Sequence, residues 1–194
     1  MDRFMRFGLC PAEDQRKAFS SALPLVLLPL VNVLFLFFSG ESFDLIEDSA
    51  ELLRLALWVF VEEAVFRGFL PVLLSERLSL GVREAALLSA AVFALLHFLN
   101  MLAGEAFPFA AAQVMLAFAA GFSFSGLTAL TKSFFPGYTI HVLLNITSFS
   151  SDKISAAPYV VVWSAVSVLC LLYGAVLFHA AERQAEEEVE EDQA

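Results

Sequence analysis

The sequence predicts an all-α protein, a polytopic membrane helix bundle of about six transmembrane segments with its N-terminus cytoplasmic. Three observations carry that fold class. Hydrophobic residues make up 59% of the 194 positions and charged residues only 16%, and the mean hydropathy is +0.77, too apolar for a soluble domain. Charge-poor stretches recur at about the 17 to 25 residues that a bilayer crossing requires. With six crossings, Arg3, Arg6, Arg16, Lys17, Arg77, Arg83, Lys132 and Arg183 fall on the cytoplasmic side and only Lys153 outside, while the external segment 41–48 is acidic, as the positive-inside rule asks.

The segments are expected near 18–38, 52–74, 85–103, 107–130, 137–150 and 157–179. The first follows a basic stretch like the start of a signal peptide, but the run is too long and lacks a small-x-small cleavage site, so it reads as a retained helix. The second holds Glu62, Glu63, Arg67 and, nearer its start, Arg54. It forms an antiparallel hairpin with the third, turning at Ser79-Leu80-Gly81. The fourth carries Ala117, Gly121, Ser125 and Ala129 at four-residue intervals, a small-residue stripe for helix packing. The fifth is the shortest, beginning at the Pro136-Gly137 break, and reads as a short or half-span.

Residues 1–180 read as one membrane-embedded domain with a motif core at about 51–150. The net charge of −10 belongs mostly to residues 182–194, which hold seven acidic side chains, so 181–194 is expected to be an acidic, disordered cytoplasmic tail. Cys10 and Cys170 are too differently placed to suggest a disulfide, and neither has an ionisable neighbour that would make it a nucleophile. No nucleotide-binding loop occurs, and no nucleic-acid partner is expected.

Function is expected where ionisable groups interrupt apolar helices. Each charge at a helix centre costs roughly 2.5 to 3.5 kcal/mol, so Glu62, Glu63 and Arg67 together carry about 8 to 10 kcal/mol if they face lipid unpaired. Glu62 precedes the hairpin turn by about as many residues as His97 follows it, which places the carboxylate and the imidazole at one depth to within about a turn. Glu63 and Arg67, four apart, suit an intrahelical ion pair, which leaves Glu62 to face a cavity. His141 and Asn145, also four apart, offer two hydrogen-bond donors from one helix face. A carboxylate and imidazole to activate water, beside two donors for an oxyanion, make a hydrolytic set. Phe93 is read as core packing, and Asn32, Asn100 and Gln113 as interhelical hydrogen-bonding groups.

The order of Glu62-Glu63-Ala64-Val65-Phe66-Arg67, then Phe93-Ala94-Leu95-Leu96-His97, then His141-Val142-Leu143-Leu144-Asn145 resembles the type II CAAX prenyl protease family, also called the ABI or bacteriocin-processing intramembrane protease family. The resemblance spans 51–150. It implies a glutamate-dependent endopeptidase of the cell membrane, multi-pass, that cleaves a peptide or protein substrate, lipidated or not, without a covalent intermediate. It also implies that Glu62 and His97 activate water, that His141 and Asn145 form the oxyanion site, and that Glu63 and Arg67 support them.

Rival readings are a buried Glu63-Arg67 network that only fixes helix register, and a zinc-dependent protease with Glu62, His97 and His141 as ligands. The zinc reading lacks the H-E-x-x-H signature, and no cofactor is expected. A third rival is a non-catalytic immunity or scaffold protein, or a small carrier. Counting from Lys132 puts His141 only about 10 to 14 Å into the membrane, against roughly 20 Å for Glu62 and His97. Either the hairpin projects into the cytoplasm or the Pro136-Gly137 break is drawn inward, and both options imply a cytoplasm-facing cavity.

Overall fold

A computed structural model describes residues 8–39, 48–148 and 155–193. Arg3, Arg6, segment 41–47 and Lys153, used in the charge argument, lie outside the described residues, as does the end of the motif core at 149–150. Helix makes up 88% of the structure, and no strand occurs among the described residues.

Helix α1 (Gln15–Ala22) starts at Asp14, whose carboxylate accepts from the Arg16 and Lys17 N–H groups at 2.9 and 3.0 Å and so satisfies two of the orphan donors of the first turn. Pro24 has no N–H to give, and the chain tightens there into a 3-10 turn, Leu23–Val26, before continuing as α2 (Leu27–Ser39). Asp48 caps α3 (Ser49–Glu63) in the same way, accepting from Ala50 N–H at 2.9 Å. That helix then opens into a π-helical stretch, Ala64–Phe69, and closes again as α4 (Leu70–Leu78). Pro71 explains the widening: it lacks an N–H and its ring would collide with the Arg67 carbonyl in a regular α-helix.

The expected turn is present at Ser79-Leu80-Gly81. Ser79 adopts a left-handed conformation with φ of 54°, and the Ser75 hydroxyl donates to Leu80 O at 2.9 Å. Helix α5 (Val82–Leu96) follows, then a 3-10 stretch, His97–Ala103, ended by Gly104 at φ of 99°. The remaining helices are α6 (Phe107–Thr131), α7 (Phe135–Ile146) and α8 (Ala156–Asp192), each with a proline in its first turn where no donor is lost.

Among the described residues four helices are long and apolar enough to cross a membrane: Gln15–Phe38, Val82–Ala103, Phe107–Thr131 and Ala156–Glu191. The α3–α4 rod is as long but carries Glu62, Glu63 and Arg67 at its centre. Of these, Glu63 and Arg67 are buried, so their charge is kept from the outer surface. At 12 residues, α7 is about 18 Å long at 1.5 Å per residue, a half-span as expected. The outer surface is apolar at Phe37, Phe38 and Leu102, which are 77%, 80% and 85% exposed, as lipid-facing positions should be.

The largest interface joins α6 and α8. Gly174 permits it, since a Cβ there would lie 2.8 Å from Phe122 Cδ1, and Ser123 Oγ donates across the gap to Cys170 O at 2.6 Å. Both cysteines are free thiols.

The depth mismatch is resolved by drawing the break inward. Ser133 and Phe134 are fully buried, a Cβ on Gly137 would touch Phe124 at 3.2 Å, and Phe134 N–H donates to Gly8 O at 3.0 Å. Phe124 lies seven residues, about 10 Å, inside the end of α6.

The acidic tail differs from expectation, because the helix continues through it to Asp192. Two causes are visible. The stretch is rich in Ala, Glu and Gln, which favour helix, and it is tethered to the bundle's basic end by Lys132 Nζ at 3.9 Å from Glu188 and by a hydrogen bond from Lys17 to Gln184.

Candidate active site

The widened turn begins immediately after the paired glutamates. Glu63 is fully buried, and its carboxylate joins two helices: Oε2 lies 3.3 Å from Arg67 Nε, and Oε1 lies 2.7 Å from His141 Nδ1 on α7. The Glu63-Arg67 pair is the one that the four-residue spacing predicts. The His141 contact is new, and it makes one carboxylate the joint between α3 and α7. Since a carboxylate accepts, Nδ1 of His141 carries a proton and Nε2 is the ring's other working atom.

Nε2 of His141 lies 3.7 Å from Glu62 Oε2. The Glu62 side chain is 22% exposed, and its Oε1 accepts from Trp58 Nε1 at 2.8 Å. Trp58 escaped sequence reading, although it precedes Glu62 by four residues and so shares its face. Replacing Trp58 by Phe removes a donor to a charged acceptor and is expected to cost about 1.5 kcal/mol of stability, read by denaturant titration in detergent. An unchanged stability would mean that the tryptophan only packs.

His97 ends α5. Its Nδ1 lies 3.1 Å from Phe93 O, and because a carbonyl only accepts, this atom donates and Nε2 keeps its lone pair. Phe93 is buried as predicted but does more than fill space. Its ring stacks under the Arg67 guanidinium at 4.2 Å and meets His97 edge-on at 4.8 Å, a cation–π contact inside the site.

His97, His141, Asn145, Arg67 and Phe93 all line one cavity of about 280 Å³. The three motif segments therefore converge. Glu62 is not part of that wall and makes no ion pair with His97, although it lies within electrostatic range of the ring, as do Arg67 and His141. The equal-depth argument brings the two residues near each other without bringing them into contact. Among the described residues, no group of three His, Cys, Asp or Glu side chains is placed to hold a metal ion.

The cavity also departs from expectation in direction. Its polar wall includes Asn100, Gln113 and Ser148, which lie toward the helix ends opposite those carrying Arg77, Arg83 and Lys132. The motif cavity therefore lies toward the end away from the basic residues, and on its basic side it meets the drawn-in start of α7, where Phe134 N–H donates to Gly8 O. Asn100 Nδ2 donates to Gln113 Oε1 at 2.9 Å, and Asn32 Nδ2 to Leu144 O at 3.1 Å, so all three amides tie helices together as predicted.

The small-residue stripe has a second use that sequence did not reveal. A Cβ on Gly121 would lie 3.2 Å from Arg67 Nη2 and 3.6 Å from Phe93, so the stripe makes room for the guanidinium. Gly121→Val is expected to cost about 1 to 3 kcal/mol through overpacking, measured by denaturant titration in detergent. A wild-type stability would show that Arg67 can move aside freely.

The family model described as type II CAAX prenyl endopeptidase Rce1-like matches residues 50–147. No curated protein and no solved structure matches the chain.

Proposed function

This chain belongs to the type II CAAX prenyl endopeptidase Rce1-like family, and from that premise we propose that it is a glutamate-type intramembrane endopeptidase which hydrolyses a peptide bond by direct attack of water. The observation that carries the reading is the convergence of residues from three separate helices on one cavity, with a fully buried carboxylate binding an imidazole on one side and a guanidinium on the other.

Glu62 is the carboxylate that water can reach, and with His97, whose Nε2 keeps a lone pair, it takes the proton from the attacking water. The substrate carbonyl oxygen becomes an oxyanion, and His141 with Asn145 donates to it. For His141 to donate from Nε2 its ring must carry two protons, and Glu62 and Glu63 flank that cation. With Arg67 the four charges then sum to zero. Glu63 is too enclosed to meet water, and its task is to orient His141 and to hold Arg67. The proton returns to the leaving amine from the same Glu62 and His97 pair, and no covalent acyl-enzyme forms.

The substrate is a peptide or a protein segment at the membrane, lipidated or not, and the enzyme sits multi-pass in the cell membrane with its N-terminus cytoplasmic. The reading needs no metal, and zinc bound one to one that leaves together with activity in chelator would replace it with the metal-dependent rival. The test compares protein termini in membranes of cells carrying the wild-type chain or Glu62→Ala. A new terminus present only with the wild-type chain is expected. If no terminus changes and Glu62→Gln and His97→Ala leave the cellular phenotype intact, the chain is a non-catalytic membrane protein.

A further inference from the structure

A second cavity, of about 310 Å³, lies behind the site. Among the described residues, Arg67 alone lines both cavities. At its other end the second cavity reaches Val82, which is 64% exposed, and Lys132, whose side chain is 48% exposed and pairs with Glu188. It therefore opens where the basic residues gather, away from the Asn100 and Gln113 end of the first.

The polar groups around this cavity select its occupant. The Arg67 side chain is 1% exposed, and Nε, Nη1 and Nη2 have no hydrogen-bond partner among the protein groups. Glu63 supplies opposite charge to Nε at 3.3 Å without the alignment of a hydrogen bond. Buried donors left in that condition are costly, so a ligand that accepts is called for. Along the wall, Ser75, Ser125 and Thr128 already donate their protons to Leu80 O, Gly121 O and Phe124 O, each at 2.9 Å. What these hydroxyls still offer is lone pairs. A carboxylate or phosphate would be welcomed by Arg67, and by Lys132 at the open end, but between them it would face those lone pairs. Water accepts from the first and donates to the others, and each molecule needs only about 30 Å³.

We propose that this second cavity is the water inlet of the hydrolytic site, carrying water from the basic end of the bundle to the Arg67 guanidinium and past it to the motif cavity. The inference rests on the proteolytic reading above. Hydrolysis consumes one water for each bond broken, and a peptide seated in the first cavity would displace the water held there. A separate inlet lets substrate and water approach Arg67 from opposite ends, and the small side chains Ala86 and Ala129 keep the passage open.

The experiment has two arms on the full chain in proteoliposomes. In the first, Thr128→Cys is introduced with Cys10→Ser and Cys170→Ala, and a small charged methanethiosulfonate is added on both sides. The introduced thiol is expected to react in the folded protein. If it reacts only after denaturation, the inlet is overturned, whatever the activity. In the second, Ala129→Leu fills the passage. It is expected to lower kcat about tenfold with KM within about twofold, since substrate binds elsewhere, while Ala129→Ser keeps the wild-type kcat. A folded Ala129→Leu protein with unchanged kcat overturns the proposal even if the thiol reacts. Should Ala129→Leu fail to fold, Ala86→Leu is read in its place by the same criterion. A wild-type chain that cleaves nothing defeats the proteolytic reading instead, and is told apart because the labelling arm needs no turnover.

Discussion

Replacing Glu62 by Gln is expected to lower kcat/KM by about 10³-fold while the protein stays folded, within the range of about 10² to 10⁴ that a positioned general base contributes. The variant is chosen for what it keeps. The amide has the volume of the carboxylate, and its oxygen can still accept from Trp58 Nε1, the contact now made at 2.8 Å. What it loses is the charge and the capacity to take a proton from water. Because the side chain is partly exposed, no buried partner is stranded, and the thermal midpoint should move little. Turnover of a quenched fluorescent peptide spanning the identified cleavage site, beside a melting curve in the same detergent, separates the two effects. A variant with near-wild-type kcat would remove Glu62 from the chemistry and leave His97 as the sole base.

Replacing Arg67 by Leu is expected to cost about 3 to 5 kcal/mol of stability, the scale found when one partner of a buried ion pair is removed. Glu63 would then be a fully enclosed carboxylate that keeps His141 as its partner but has lost its guanidinium. The double variant Glu63→Leu with Arg67→Leu should recover most of that loss, because no unpaired charge remains. It should not recover activity, since His141 loses the acceptor that fixes its ring. Unfolding in a denaturing detergent titration gives the stability cycle, and peptide cleavage gives the activity. If Arg67→Leu unfolds like the wild type, the guanidinium is not what neutralises Glu63. If the double variant cleaves normally, Glu63 does not orient His141.

The spans were legible because a helix must keep charge away from lipid, and the gaps between charged residues mark the apolar runs. The Glu63-Arg67 pair was legible for a related reason: spacing fixes which side chains share a face of one helix. The contact from Glu63 to His141 was not, because spacing says nothing about the rotation of α7 relative to α3. Only the packing of Gly137 on Phe124 and the burial of Phe134 settle that angle. The same limit applies to the cavity's direction. Charge counts locate the basic end, but they cannot reveal that the drawn-in start of α7 stands between it and the motif cavity. The helical course of the tail was not legible, because its charge alone does not reveal that Lys17 and Lys132 lie beside it in space. The place of Phe93 under Arg67 was not legible either, because it depends on a neighbouring helix.

The wide turn at Ala64–Phe69 lets this helix hold one residue more than a regular turn would use without turning its flanks against each other. A residue in a wide turn rotates the chain by less than the roughly 100° of an α-helical residue, so the extra one is taken up within the same angle. Glu62 and Glu63 thus keep their alignment with the Pro71 and Ser75 flank that packs on α5, at a place where Pro71 forbids a regular turn. An insertion or deletion outside 64–69 has no such reserve, and each residue gained or lost there would rotate one flank against the other by about 100°.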